Sequence, residues 1–526
     1  MAGFLSYFGA VVAASALFFV LRIAYRLTLH PLASFPGPKL AGATSLFQAW
    51  YDLRPSSSYV KTFPALHRQY GRWLFLPLAV DLKPNLTVLP LAGPIVRILP
   101  NQLHVHDINA YYEIFKTGSG FTRFKDQYHQ PAGVGFFNIL DPKVAKPWRD
   151  SYMPYFSKGA ITRLEPLIQD RMDTFLQRLD AAASDEKPVD LSMGYRSLTG
   201  DVVSSYMFAN KGVETLEVED FQSPMLVALE KNMDFLQYTM YWNNFFYWFA
   251  GQLRKLTKEQ TEKFFAPIAQ TNWLLEQLRK KLEEIMTKGG SGSGFPTVFD
   301  CWAAPNAKRT FTPNLDQLTA DAFLFYGAGT DTTAYTLTVG TWGLIHHRDA
   351  LAKLRKELND AFPASNGHKL VSPSALENLP YLRAVVKESL RMGMGVPGRL
   401  GRVVPAGGVN LCGRHIPAGT ILHAAHYCYH FDPEVFPNPD SFLPERWLGP
   451  DANQLETKMI AFSRGPRSCI GINLAYAELY LSFAYVFRRF DVKPYKTTEE
   501  DMEWKDNFVV TTKGHLRVLL KRVDDD

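Results

Sequence analysis

The chain has 526 residues, 46% of them hydrophobic and 21% charged, which is ordinary composition for a protein with a large core. The net charge of +6 is small for this length, and no basic block is interleaved with aromatics, which argues against a nucleic-acid partner. Four cysteines (Cys301, Cys412, Cys428 and Cys469) form no CxxC pair and are too sparse for a disulfide scaffold, so a reducing compartment is expected. Three of them read as small buried hydrophobes. Cys469 stands apart.

At the amino terminus, Ala2 to Leu21 carries no charged side chain and is rich in Phe, Leu, Val and Ala. About twenty apolar residues rising 1.5 Å each span roughly 30 Å, the thickness of a bilayer core. Arg22, Arg26, His30 and Lys39 follow, so the positive-inside rule predicts that the rest of the chain faces the cytoplasm. A cleaved signal peptide would show a basic flank before the run and a small-x-small site after it, and neither is present. Residues 1–26 are therefore expected to be a single transmembrane anchor. The sequon Asn85-Leu86-Thr87 would then lie in the cytoplasm, unglycosylated. Residues 27–40 contain Pro31, Pro36 and Pro38, which cannot continue a helix and predict a stiff hinge. Residues 41–526 follow as one catalytic domain.

Helical periodicity marks residues 155–210 and 255–287. From Phe235 to Phe249 nine of fifteen residues are aromatic, interrupted by Gln237, Asn243 and Asn244, a composition that suits either a lipid headgroup region or core packing. Gly289 to Gly294 is a flexible loop. A long helix is expected to open at Thr312-Pro313 and run to about His347. Its centre reads Ala328-Gly329-Thr330-Asp331-Thr332-Thr333, and Gly327 and Gly329 each cost about 1 kcal/mol in a helix interior. Gly329, Thr332, Thr333 and Thr336 share a face, and Thr332 is expected to bond back to the Ala328 carbonyl. Packing between helices and a functional groove both explain such a segment. A helix from Pro380 carries Glu388 and Arg391. Strands are expected at Arg402 to Val404 with Val409 to Leu411, and at Leu516 to Leu520. The fold class is mainly α with small β-sheets.

The sharpest pattern is Phe462-Ser463-Arg464-Gly465-Pro466-Arg467-Ser468-Cys469-Ile470-Gly471, followed by a helical run from Asn473 to Phe483. It sets a cysteine sulfur at a helix amino terminus, where free N–H groups and the helix dipole favour a thiolate. Gly465 and Gly471 allow close approach to the backbone. A buried cysteine in an ordinary loop would not need the surrounding positions.

With these residues the sequence resembles the cytochrome P-450 family of haem-thiolate monooxygenases, over nearly the whole chain. The resemblance implies the P-450 fold behind a transmembrane helix, heme b with Cys469 as axial ligand, and a cofactor loop including Phe462, Gly465 and Arg467. It implies an oxygen groove at Ala328 and Gly329, with Thr332 and Asp331 relaying protons, and a structural Glu388–Arg391–Arg446 network under the cysteine loop. Arg467 and Arg402 are the first choices to hold the haem propionates. Arg149 is the next, because the position expected to be Trp or His in its motif is Ala145, with Trp148 adjacent to the arginine.

The resemblance also implies an apolar pocket lined by Phe121, Phe124, Phe136, Phe137, Phe325 and Val396 and closed near Val509 and Val510. Length and hinge look most like filamentous-fungal enzymes of secondary metabolism, with a terpenoid substrate as first choice and a polyketide as second. The expected partners are O2, the bilayer of the endoplasmic reticulum and an NADPH-dependent cytochrome reductase docking near Arg464, Lys143 and Lys146. Two rivals are a haem-thiolate isomerase or dehydratase needing no electrons, which usually lacks the groove threonine, and a haem carrier or sensor without turnover.

Overall fold

The computed structural model describes residues 2–54, 57–71, 93–128, 133–209, 212–241, 257–303, 311–362 and 371–523, and of some residues at the start of the first helix and in the helices near 241 and 258 it describes the backbone only. The sequon at Asn85 lies outside the described residues. So does the aromatic segment from Trp242 onward, and of its earlier part only the backbone is described. The chain forms two compact units, residues 1–124 with 399–428, and residues 125–398 with 429–526.

In the first unit a helix runs from Ala2 to Thr28, and Ser6–Thr28 is long and apolar enough to cross a membrane, with mean hydropathy 2.0. The proline segment after it is held in place. Arg26 donates to the Ala43 carbonyl at 2.6 Å, and Arg97 donates to the Arg26 carbonyl at 2.9 Å. Leu32 is buried, and the Arg97 amide donates to the Pro36 carbonyl at 2.7 Å. The apolar helix and the proline segment after it are thus hydrogen-bonded to the rest of this unit. A five-stranded sheet has the order Ile95–Leu99, Gln102–Val105, Ile421–His423, Arg402–Val403, Thr122–Arg123. Val409–Leu411 does not pair with the Arg402 strand, as the sequence suggested; it forms a hairpin with Arg414–Ile416. The turn between them puts Cys412 at φ 49° and Gly413 at φ 73°, the positive-φ pair of a tight hairpin.

The second unit is built around the helix Leu315–His346, 32 residues long and buried along most of its length. It starts at Asn314, not Thr312. The Gln317 amide donates to Asn314 Oδ1 and the Asn314 amide to Gln317 Oε1, both at 2.9 Å, a reciprocal cap that outcompetes the Thr-Pro start. Lys158–Ser184, Leu191–Phe208, Lys258–Phe264 and Ala266–Lys288 account for the two periodic stretches, with breaks at the β-bridge near Val189 and at Phe265. Gly289, at φ 71°, terminates the last of them in the left-handed conformation. The central helix packs against Leu191–Phe208, Ala266–Lys288, Pro380–Met392 and Ile472–Arg489. Gly340 permits this contact, since a Cβ there would lie 2.2 Å from Ser389 Oγ and 2.4 Å from Phe483 Cζ. The strand expected at Leu516–Leu520 spans Arg517–Arg522, between Val189–Asp190 and Phe490–Pro494. A hairpin of Trp504–Asn507 and Val509–Thr512 completes the unit.

Candidate haem site

Cys469 lies just ahead of the helix Ile472–Arg489. Its amide donates to the Phe462 carbonyl at 2.9 Å, and the Ser463 amide donates to the Ile460 carbonyl at 2.8 Å, so the loop folds back on itself around the cysteine. Gly465 sits at φ 72° and Ser463 at φ 56°, which explains the glycine in that position of the motif. Phe462 packs on Tyr476 of the following helix, with ring centroids 5.4 Å apart.

Burial pushes the Cys469 thiol up, opposed by the Gly471 amide bonded to its sulfur and by the charge of Arg149. The residue is nevertheless exposed at the surface, whereas Cys428 is 1% exposed and Cys301 and Cys412 are half-buried. Only one of the three cysteines read as buried is therefore fully so. Cys428 sits in the short helix His426–His430 with its sulfur enclosed, which leaves no face for a planar macrocycle. The donor set at Cys469, an open sulfur with an amide on it and a guanidinium beside it, fits a metal-bound thiolate.

The loop is held from behind by a saturated network. Arg391 donates to both oxygens of Glu388, at 3.0 and 2.9 Å. The same carboxylate accepts from Arg446 Nε at 3.1 Å, Trp447 Nε1 at 2.9 Å and the Leu443 amide at 2.9 Å. Glu388 and Arg391 are fully buried. Sequence reasoning missed how this network reaches the loop. Arg391 Nη1 donates to the His430 carbonyl at 2.9 Å, His430 Nδ1 meets the Arg391 carbonyl at 3.1 Å, and His430 Nε2 accepts the Ile460 amide at 3.0 Å. With Nδ1 donating to a carbonyl, Nε2 is the acceptor. No motif announces His430.

The arginines differ in their surroundings. Arg467 Nη2 donates to the carbonyls of Phe136 and Phe137, both at 3.0 Å, and of Ile139 at 3.2 Å, so this guanidinium also organises the loop ahead of the Pro142–Tyr152 helix. Arg149, on that helix, is half-buried close enough to Cys469 to feel its charge. Trp148 is the neighbouring candidate for the aromatic that Ala145 lacks. It is buried against Phe311 and the Tyr152–Asp321 pair. Arg402 belongs to the first unit, where its guanidinium lies over the Phe115 ring at 4.5 Å.

On the central helix Thr332 Oγ1 donates to the Ala328 carbonyl at 2.7 Å, as expected from the sequence. Ala328 is exposed and Thr332 partly so, while Thr333 turns into the core toward Glu478. Gly329 has a packing cause: a Cβ there would come 2.9 Å from Val203 Cγ2 on the neighbouring helix. Asp331 does not open directly to solvent. It is buried, and its Oδ1 accepts from Arg196 Nε at 2.8 Å.

Of the expected pocket residues, Phe136 and Phe325 stack at 5.5 Å and belong to a closed aromatic cluster with Tyr152, Phe156 and Phe299. Phe137, Val396 and Val509 stay partly exposed. The Val510 amide donates to the Gly395 carbonyl at 3.0 Å, and a Cβ on Gly395 would lie 2.6 Å from Thr332 Cβ. This arrangement brings an apolar wall to the threonine. Phe121 and Phe124 are in the first unit, the former buried and the latter half-buried.

A mostly helical body with small sheets and a cysteine loop braced by a buried Glu–Arg–Arg network defines the class of haem-thiolate folds. The chain belongs to the cytochrome P450 family, whose model matches residues 91–519 and spans both units. It is 31% identical to cytochrome P450 monooxygenase macH of Penicillium terrestre, covering 97% of this chain and 96% of that one. It is 32% identical to monooxygenase ankB of Aspergillus thermomutatus, with 94% and 90% covered. It is also 32% identical to monooxygenase TRI4 of Trichoderma arundinaceum, with 94% and 91% covered. The crystal structure of the cytochrome P450DA heme domain superposes with a TM-score of 0.68 at 17% identity, covering 89% of this chain and 93% of that one, a likeness of fold. The protein is a haem-thiolate monooxygenase.

Proposed function

We propose that Cys469 is the axial thiolate and that the protein oxygenates an apolar secondary metabolite, a terpenoid before a polyketide, with electrons from an NADPH-dependent cytochrome reductase. The observation that carries this is the open Cys469 sulfur at the head of an 18-residue helix, bonded by the Gly471 amide and flanked by Arg149. Fungal monooxygenases aligned over nearly the full chain support the metabolic setting.

Haem held at the Cys469 thiolate would supply the oxygen-activating chemistry. The chain's own residues do the rest. Arg467 and Arg149 would pair with the carboxylates of the macrocycle, and Arg402 is named as a further candidate on the order of motifs alone. The exposed Ala328 leaves open space on this face of the central helix, and Thr332 Oγ1 holds its proton against the Ala328 carbonyl at 2.7 Å. Asp331 exchanges that proton. Val396, Val509 and Phe137 exclude water and hold substrate by burial rather than by hydrogen bonds. The helix Ser6–Thr28 anchors the enzyme once across the endoplasmic reticulum membrane with the catalytic domain in the cytoplasm. The exposed Arg464, Lys143 and Lys146 present positive charge to an acidic reductase surface.

The test is reconstitution with reductase and NADPH against a panel of terpene and polyketide substrates. A product carrying one added oxygen atom, dependent on NADPH, is expected. Turnover without NADPH would instead identify the isomerase reading, which the presence of Thr332 disfavours.

A further inference from the structure

Behind the groove face of the central helix, the stripe Asp331, Ala334, Tyr335 and Thr338 borders a separate cavity of about 60 Å³. That is room for a few water molecules. Its other walls are Ser192 and Arg196 of the Leu191–Phe208 helix, Glu230 and Met233 of the Pro224–Tyr241 helix, and Val510 to Thr512 with His515.

The cavity is crossed by an unbroken chain of charges. Asp331 Oδ1 accepts from Arg196 Nε at 2.8 Å, and Arg196 Nη1 reaches Glu230 Oε2 at 3.2 Å. Glu230 Oε1 is 3.0 Å from His515 Nε2, and His515 Nδ1 is 2.6 Å from Asp190 Oδ2. Asp190 also caps the helix that carries Arg196, accepting the Met193 amide at 3.0 Å. Hydrogen bonds to Asp190 and Glu230 push His515 up to about 10, so both its ring nitrogens donate at neutral pH. Burial pushes the Glu230 carboxyl up, but the bond from His515 and the charge of Arg196 outweigh it and bring the group down to about 2.

Asp331 is different. Its Oδ2 is buried and makes no hydrogen bond. Burial favours its neutral form, Arg196 favours the carboxylate, and Glu230 acts with burial. The guanidinium is divided between two carboxylates, and one of them is permanently ionised.

We propose that Glu230 is a positioning residue for proton supply: by sharing Arg196 with Asp331, it keeps that aspartate able to exchange a proton with water in the cavity behind the central helix. This rests on the monooxygenase reading, in which Asp331 serves Thr332. Without Glu230 the full charge of Arg196 falls on Asp331 and holds it as a carboxylate. The groups facing Asp331 are Arg196 and Glu230 from two helices and Tyr326 from its own, with His515 beyond Glu230.

The experiment is infrared titration of the full-length ferric holoprotein, with the Asp331 carboxyl band identified by its loss in Asp331→Asn. In wild type the band should shift on transfer to D2O, reporting exchange with water. In Glu230→Gln its titration midpoint should fall by about one pH unit, a tenfold loss of proton affinity. Glu230→Asp, which keeps the charge on a shorter arm, should fall less than half as far. If Glu230→Gln does not fold, a downward shift in Glu230→Asp carries the test. An unmoved midpoint in the folded variants, or no exchange in wild type, overturns the proposal. An unfolding double-mutant cycle adds a second readout, with Glu230→Gln and Asp331→Asn non-additive by about tenfold in the equilibrium constant; additivity counts against the proposal. Failure of the underlying reading shows separately, as a wild-type carbon monoxide spectrum lacking the thiolate band.

Discussion

Replacing Glu388 with glutamine keeps the shape of the side chain and removes its charge. In the native protein this carboxylate takes five hydrogen bonds, from Arg391 twice, Arg446, Trp447 and the Leu443 amide. Glutamine can accept some of these, but its amide group must then face two guanidiniums. Arg391 is fully buried, and breaking such a pair typically costs about 3–5 kcal/mol because an uncompensated charge stays inside. Here Arg391 also lies 5.3 Å from the Phe431 ring centroid and 5.5 Å from that of Phe436, and it donates to the His430 carbonyl, which argues for the low end, about 3 kcal/mol. At roughly 2 °C per kcal/mol in a chain of this size, the loss of Tm is about 6 °C. Thermal unfolding of detergent-solubilised holoprotein, followed by circular dichroism and by loss of the haem band, measures it. The exposed pair Glu113–Lys116 is the control, and Glu113→Gln should cost under about 0.5 kcal/mol. A Glu388→Gln Tm within about 2 °C of wild type would refute the view that this network braces the cysteine loop.

His430→Ala removes the acceptor of the Ile460 amide and should raise the share of protein lacking thiolate ligation in the reduced carbon monoxide spectrum, with His430→Asn restoring part of it. Thr332→Ala, at a partly exposed position whose side chain bonds only its own helix, should leave the free energy of unfolding within about 1 kcal/mol of wild type but lower the product formed per NADPH consumed. Gly340→Ala forces a methyl group against Ser389 and Phe483 and should destabilise by about 1–3 kcal/mol, read as a fall in Tm. Asp321 is buried and pushed up to about 7, opposed by bonds from Tyr152 and the Phe136 amide. A carboxyl raised in the folded state contributes stability below its unfolded value that is lost as pH rises through the folded one. Wild-type stability should therefore fall between about pH 4 and pH 7 through this group, and Asp321→Asn should flatten that slope in Tm measured across the range.

What could be read in advance was whatever is written locally. The long apolar amino-terminal helix, the fold of the chain around Cys469 and the Thr332 back-bond to Ala328 each lie within one continuous stretch of sequence, and each is present in the structure. The start of the central helix was misplaced by two residues because the Asn314–Gln317 reciprocal cap is stronger than the Thr312-Pro313 signal. Long-range partners were not legible. The chain from Asp331 to Asp190 joins residues from four separate stretches, and nothing in the spacing of Arg196, Glu230 and His515 marks it. Likewise the glycine at 329 answers to Val203 on another helix, which no reading of its own helix reveals. The stacking of Phe136 on Phe325, from stretches of chain far apart, is likewise a long-range pairing that the sequence did not show.

The account turns on which sulfur binds iron, and the reduced carbon monoxide spectrum of wild type, Cys469→Ala and Cys428→Ala measures it most directly. The expected result is a strongly red-shifted Soret band in wild type and in Cys428→Ala, absent in Cys469→Ala. A band that survives loss of Cys469, or disappears with loss of Cys428, would contradict the account and every role assigned around the Cys469 loop.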